Sequence, residues 1–69
     1  MRISYDPRYD ILYIRLGEAE KVRCKDVDED ITMDMDEQDR LVGIEILSAS
    51  KHLDLSLLLP VEIRKEALR

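Results

Sequence analysis

The chain has little of what usually staples, loads or anchors a small protein. A single cysteine, Cys24, excludes an internal disulfide, and with His52 as the one histidine there is no obvious metal-ligand cluster. The two glycines, Gly17 and Gly43, are far apart and neither opens a helix, which excludes a phosphate-cradling loop. Positive charge is also in deficit: 11 Lys and Arg stand against 16 Asp and Glu, for a net charge of -5 and a pI near 4.7. Nucleic acid is therefore a poor partner, since phosphate binding needs a basic stripe, and a basic protein is the natural complement. No apolar run approaches the ~20 residues that cross a bilayer, and the start MRISYDPRYD lacks a basic segment followed by an apolar one. The expectation is a cytoplasmic protein with no membrane contact.

What is present describes a folded domain. Of the 69 residues, 45% are hydrophobic and 39% charged, with only two prolines, a composition unlike that of disordered tails. A chain of this length carries a marginal core, so self-association is the expected staple. We read residues 1–69 as one domain, with a sheet over 1–47 and a helical segment over 48–69.

Alternation organises the sheet. In ITMDMDEQDRLVGIEIL, Ile31, Met33 and Met35 share one face, as do Val42, Ile44 and Ile46, around a charged turn at Glu37–Arg40. That turn sets Met35 opposite Val42, Met33 opposite Ile44 and Ile31 opposite Ile46. Earlier, Asp6-Pro7-Arg8-Tyr9-Asp10 turns the chain between a strand holding Ile3 and Tyr5 and the strand ILYIRL, with Tyr5 opposite Leu12 and Ile3 opposite Ile14. Lys21 to Val27 alternates as another strand. A turn tip at Asp28-Glu29 pairs Cys24 with Met33, Val22 with Met35, Arg23 with Asp34 and Lys21 with Asp36.

Beyond Leu47, Ser48 is a candidate helix N-cap for Ala49–Leu53. Leu55–Leu59 is readable as helix or strand, because periodicity does not separate the two in a short apolar run. Pro60 suits the first position of a last helix over Val61–Leu68.

The motifs YDPRYDILYIRL, ITMDMDEQDRLVGIEIL and SASKHL, in that order, resemble the small bacterial and archaeal domain of unknown function numbered 2283, over roughly residues 1 to 53. The family has no established activity. The resemblance implies a small antiparallel sheet with a helix, and an antitoxin-like role, because some members are described as encoded beside toxins. Where the family often carries Asp-Gly in the central turn, this chain has Asp39-Arg40.

Several constellations invite a chemical reading. Asp26, Asp28, Asp30, Thr32, Asp34 and Glu37 have the spacing of a helix-loop-helix calcium loop, but Ile31 occupies the place that needs glycine and the flanks alternate as strands. The acidic turn Asp26–Asp30 reads instead as a solvated loop, with a looser cation site as the alternative. Glu45 is the best candidate for general acid/base catalysis, but it shares a face with Tyr13 and Arg15 and reads first as an ion-pair partner. Cys24 points to the expected core and reads as a small packed hydrophobe, and His52 as a helix-surface residue. LLPVEIRKEALR has a local likeness to a stretch of swapped-hairpin antitoxins, yet it ends this chain and reads as an ordinary amphipathic helix.

The expectation is an α+β fold: an antiparallel β-meander of four to five strands, with the C-terminal helical segment on one face. The core would hold Ile3, Tyr5, Leu12, Ile14, Leu16, Val22, Cys24, Ile31, Met33, Met35, Val42, Ile44 and Ile46. The expected function is a non-enzymatic interaction module, without cofactor, metal or catalytic residues, that binds a basic partner. It is also expected to form a homodimer or higher homo-oligomer. Ile11, Tyr13, Arg15, Leu41 and Glu45 are the candidate partner-binding residues, because one helical segment covers one face and leaves theirs open. The alternative is a small hydrolase or metal-dependent enzyme with an acidic site at an oligomer interface.

Overall fold

Five short alternating segments build one antiparallel sheet in the computed structural model, which describes residues 1–58. The strands are β1 (Arg2–Asp6), β2 (Ile11–Arg15), β3 (Arg23–Asp28), β4 (Ile31–Met35) and β5 (Leu41–Ile46). A one-turn helix α1 (Ala49–His52) and a 3-10 turn at Leu55–Leu57 follow. The α+β expectation therefore holds in its coarse form, with a small helical part. Leu55–Leu57 is neither α-helix nor strand, and the expected helix over Val61–Leu68 lies outside the described residues.

The spatial order is β1-β2-β5-β4-β3, which corrects the meander. Sequence neighbours pair within the two hairpin blocks, but β2 lies beside β5 and not beside β3. The connection from Leu16 to Val22 carries the chain past two strands to the far edge. Three inter-strand spacings are about 14 Å, well within the reach of those residues at ~3.3–3.6 Å each. β5 thereby becomes the central strand.

Two one-residue irregularities decide which side chains share a face. The β1–β2 register is as expected, Ile3 opposite Ile14 and Tyr5 opposite Leu12. In the central hairpin Ile31 pairs with Ile46 and Met33 with Ile44, but Met35 pairs with Leu41, because Val42 is an extra residue on β5. The β3–β4 register is corrected outright. Asp28 pairs with Ile31 across a Glu29-Asp30 turn, Val27 is the extra residue, and Arg23, Cys24 and Lys25 then face Met35, Asp34 and Met33. A slip of one residue exchanges the two faces of a strand. Arg23 and Asp34 accordingly fall on opposite faces, and Arg23 pairs with Asp39 in the neighbouring turn. Lys21 and Val22 precede the strand, so neither of their expected partners is met.

The core sits where β2 and β5 meet under the helical turns. Leu12 and Ala49 are fully buried and Ile46 nearly so, with Ile3, Ile14, Ile31, Ile44, Leu55 and Leu58 packed around them. Val42 is buried as well. Tyr5, Leu16, Val22 and Cys24 are exposed, contrary to expectation: the register slip moves Cys24 to the other face, and Leu16 and Val22 lie in the crossing connection.

A helix of one turn has no stability of its own. Ser48 occupies the N-cap position, but with φ of 52° its side chain makes no capping bond. The cap comes instead from the first hairpin. The Asp10 carbonyl accepts from Ala49 N–H (2.9 Å), and its carboxylate accepts from Ser50 N–H (3.0 Å), Ser50 Oγ (2.6 Å) and the Tyr5 hydroxyl (2.7 Å). Asp10 itself adopts φ of 56°, which a short polar side chain tolerates. At the other end of the turn, His52 Nε2 lies 2.9 Å from the Asp30 carboxylate. Asp36 performs a similar closure in the β4–β5 turn: one carboxylate oxygen accepts from Gln38 N–H and Arg40 N–H, and the other from Arg40 Nε. Asp39 supplies the positive φ, 62°, in that turn.

These bonds hold the carboxylates below their ordinary range. Asp10 is lowered chiefly by the Ser50 hydroxyl, Asp36 by the Arg40 N–H, and Asp6 by the Arg8 guanidinium. A carboxylate with a lower pKa folded than unfolded stabilises the fold above its unfolded value, and that contribution is lost as pH falls through the folded value. Unfolding midpoints in urea should hold from neutrality down to roughly pH 5 and then fall steeply in acid. Asp10→Asn should lower the midpoint at pH 7 and shrink the difference between pH 7 and pH 3; an unchanged difference would deny Asp10 this role.

Truncating Leu12, the largest fully buried side chain, should cost about 2–5 kcal/mol as Leu12→Ala. Ile44→Ala should cost less, because Ile44 is only half-buried at the margin of the core. Denaturant midpoints of the two variants check the order.

Candidate functional site: the open face of the sheet

With the helical turns on one face, the register determines what the other carries. Arg2, Arg15, Gly43, Asp34 and Cys24 form one row across the five strands, and Ser4, Tyr13, Glu45, Thr32 and Asp26 form the next. Ile11, opposite Asp6, begins a third row. Of the candidate partner-binding residues, Ile11, Tyr13, Arg15 and Glu45 thus share this face, and Tyr13 and Glu45 are directly opposed. Leu41 does not join them: the extra residue Val42 breaks the alternation, and Leu41 pairs with Met35, whose side chain belongs to the other face.

Gly43 makes the arrangement possible. It lies between Arg15 and Asp34 on the central strand, and with no side chain there the Tyr13 ring passes over β5 to reach β4. The Tyr13 hydroxyl donates to Asp34 Oδ2 at 2.7 Å. A Cβ at position 43 would lie 2.8 Å from the Tyr13 ring carbon that bears the hydroxyl and 3.2 Å from Asp34 Oδ2, and closer still to the hydroxyl itself. The Cys24 thiol donates to the other Asp34 oxygen at 3.2 Å. Arg15 lies on the far side of Tyr13, its Nε donating to the Gly17 carbonyl at 2.6 Å and its terminal nitrogen 3.2 Å from Glu18. Thr32 donates to Asp26 at 3.2 Å.

The electrostatics follow from Asp34. Its carboxylate accepts hydrogen bonds from the phenol and the thiol, which favours the protonated form of each: the bond to Asp34 is the largest cause raising Tyr13 and also the largest raising Cys24. Asp26 and Glu45 push the thiol further in the same direction. A thiol so placed is a poor nucleophile, since the thiolate is the reactive form. The face carries both its arginines, Arg2 and Arg15, on β1 and β2 together with Asp6, while Glu45, Asp34 and Asp26 on β5, β4 and β3 are acidic. No group of three or more His, Cys, Asp or Glu side chains among the described residues is disposed to hold a metal ion. No described helix is long and apolar enough to cross a membrane. Four grooves on the described surface, including one bounded by Glu18–Lys21 and the β4–β5 turn, are open to solvent.

Alternation along β4 already puts Asp34 on the face opposite Met33, as observed, but alternation does not mark Asp34 or Gly43 as site residues, and it places Cys24 in the core. Gly43 was the available signal, because an isolated glycine inside an alternating strand marks a close approach by another group. The face-exchanging bulge at Val27 has no comparable signature.

Fold and face together define a small α+β domain with one helix-covered and one open, charged sheet face. The chain belongs to a family of proteins of unknown function, DUF2283, whose model matches residues 2–50. No curated protein and no solved structure matches it.

Gly43→Ala should destabilise the domain by about 1–3 kcal/mol, the usual cost of overpacking, because Tyr13 must leave Asp34. In a Tyr13→Ala background the same change should cost far less, the non-additivity expected of touching residues. A double-mutant cycle in urea measures this; equal costs in the two backgrounds would show that Tyr13 does not occupy the space above Gly43.

Proposed function

We propose that this chain is a non-enzymatic interaction module that receives a basic protein partner on the open sheet face. The supporting observation is that face's geometry: Glu45, Asp34 and Asp26 lie on the adjacent strands β5, β4 and β3, with the Tyr13 ring beside them. A lysine or arginine of the partner would meet carboxylates held by a rigid sheet and a ring on which a guanidinium can stack. The excess of acidic residues steers a positively charged partner toward the chain. Binding of a basic partner by occlusion is an antitoxin-like role. The bond from the Cys24 thiol to Asp34 raises its pKa, which disfavours Cys24 as a nucleophile on this face.

Affinity capture from the native cell tests it. The immobilised chain should retain a basic protein at low salt and release it as salt rises, and Glu45→Lys, which reverses charge in the middle of the face, should lose that protein while keeping its circular dichroism spectrum. Equal retention by the wild type and the variant would move the partner elsewhere.

A further inference from the structure

The two edges of the sheet are built differently, and the difference singles out one of them. Antiparallel strands direct alternate residues' backbone groups to opposite neighbours. Leu47 N–H donates to the Asp30 carbonyl and Leu16 N–H to the Val42 carbonyl. With the observed registers, this commits the even residues of β2 to β5 and its odd residues to β1. On β1, Arg2, Ser4 and Asp6 are then bonded to β2, and Ile3 and Tyr5 direct their N–H and C=O outward. The same alternation leaves Cys24 and Asp26 facing outward on β3. No strand among the described residues pairs with either outer edge.

β3 is blunted against a copy of itself. Val27 bulges it, and every symmetric antiparallel register that uses its outward groups opposes like charges. Lys25 meets Lys25, Arg23 meets Lys25, or Asp26 meets Asp26. β1 has no bulge, lysine, glycine or proline, and its sequence complements itself. About a two-fold axis at Ser4, Ile3 falls opposite Tyr5 of the second copy and Arg2 opposite Asp6, while Ser4 faces Ser4. The first is a β-branched and aromatic pair and the second an opposite-charge pair, both favourable across strands. The outward groups of Ile3 and Tyr5 also meet in this register, closing about four interchain backbone bonds. A shift of two residues one way leaves Asp6 without a partner, and the other way sets Ile3 against Pro7, which has no N–H.

We infer that two copies of this chain join edge to edge through β1, antiparallel about Ser4, into one continuous ten-stranded sheet. A two-fold normal to the sheet keeps the helical turns of both copies on one side. The open faces then form a single surface with Arg2, Asp6 and Arg15 of both copies at its centre and Glu45, Asp34 and Asp26 toward both ends. This assembly does not depend on the basic-partner reading, because it uses a different surface.

Light scattering tests it. The full chain should have twice the 8.1 kDa mass of one copy. Ser4→Lys, which opposes two lysines on the axis, should have the single mass with an unchanged circular dichroism spectrum. Glu45→Lys on the open face should remain a dimer. Ser4→Cys in a Cys24→Ser background should form a crosslinked dimer under mild oxidation, since residues facing each other in a non-hydrogen-bonded pair lie about 4.5 Å apart at Cα, within disulfide range. A wild type of 8.1 kDa at every concentration, a Ser4→Lys dimer, dissociation by Glu45→Lys, or failure of the cysteine variant to crosslink would each overturn the proposal. Loss of the basic partner by Glu45→Lys is read separately, so either proposal can fail alone.

Discussion

Asp10 ties the two halves of this small protein together. It sits in the turn of the first hairpin, adopts a left-handed backbone that few residues accept, and caps the helix forty residues later with its carbonyl and its carboxylate. The clasp satisfies the first N–H groups of α1, a turn of only four residues, and so fixes the start of the segment that lays Ala49 on Leu12 and Ile46. Tyr5 completes it by donating to the same carboxylate from the edge strand. The clasp lies at the level of tertiary packing, yet it is made of local turn chemistry, and so one aspartate both shapes a hairpin and closes the core.

Two bulges set the character of the open face. Val27 slips β3 by one residue, which takes Cys24 out of the expected core row and places it against Asp34. Val42 does the same to the end of β5, moving Leu41 away from Glu45. The result is a face more polar than simple alternation implies: aromatic and thiol protons are drawn to one carboxylate, and Glu45, Asp34 and Asp26 lie on adjacent strands. The bonds to Asp34 raise both the Tyr13 phenol and the Cys24 thiol above their ordinary pKa values.

The contrast between the sheet edges has a related origin. Charge and a bulge protect β3, whereas β1 combines exposed backbone groups with a self-complementary side-chain order. A chain of this size has a small core, centred on Leu12, Val42, Ile46 and Ala49 among the described residues. Additional pairing at β1 would extend the sheet without disturbing either face.

The sequence by itself determined the five alternating segments, the pairings within the β1–β2 hairpin and at the base of the β4–β5 hairpin, the helical turn after Leu47, and the family. Each rests on interactions a few residues apart: side-chain alternation, turn residues such as Pro7 and Asp10, and apolar rows that match only in one register. The grouping of Ile11, Tyr13, Arg15 and Glu45 on one face was legible for the same reason. Only the tertiary structure decided that β5 lies beside β2, because a connection from Leu16 to Val22 is long enough for either neighbour and its composition favours neither. It also decided the bulges at Val27 and Val42, the capping of α1 by Asp10 in place of Ser48, and the passage of Tyr13 over Gly43 to Asp34. Those depend on contacts between residues distant in the chain, where a single extra residue exchanges the faces of a strand and no local pattern records which face wins.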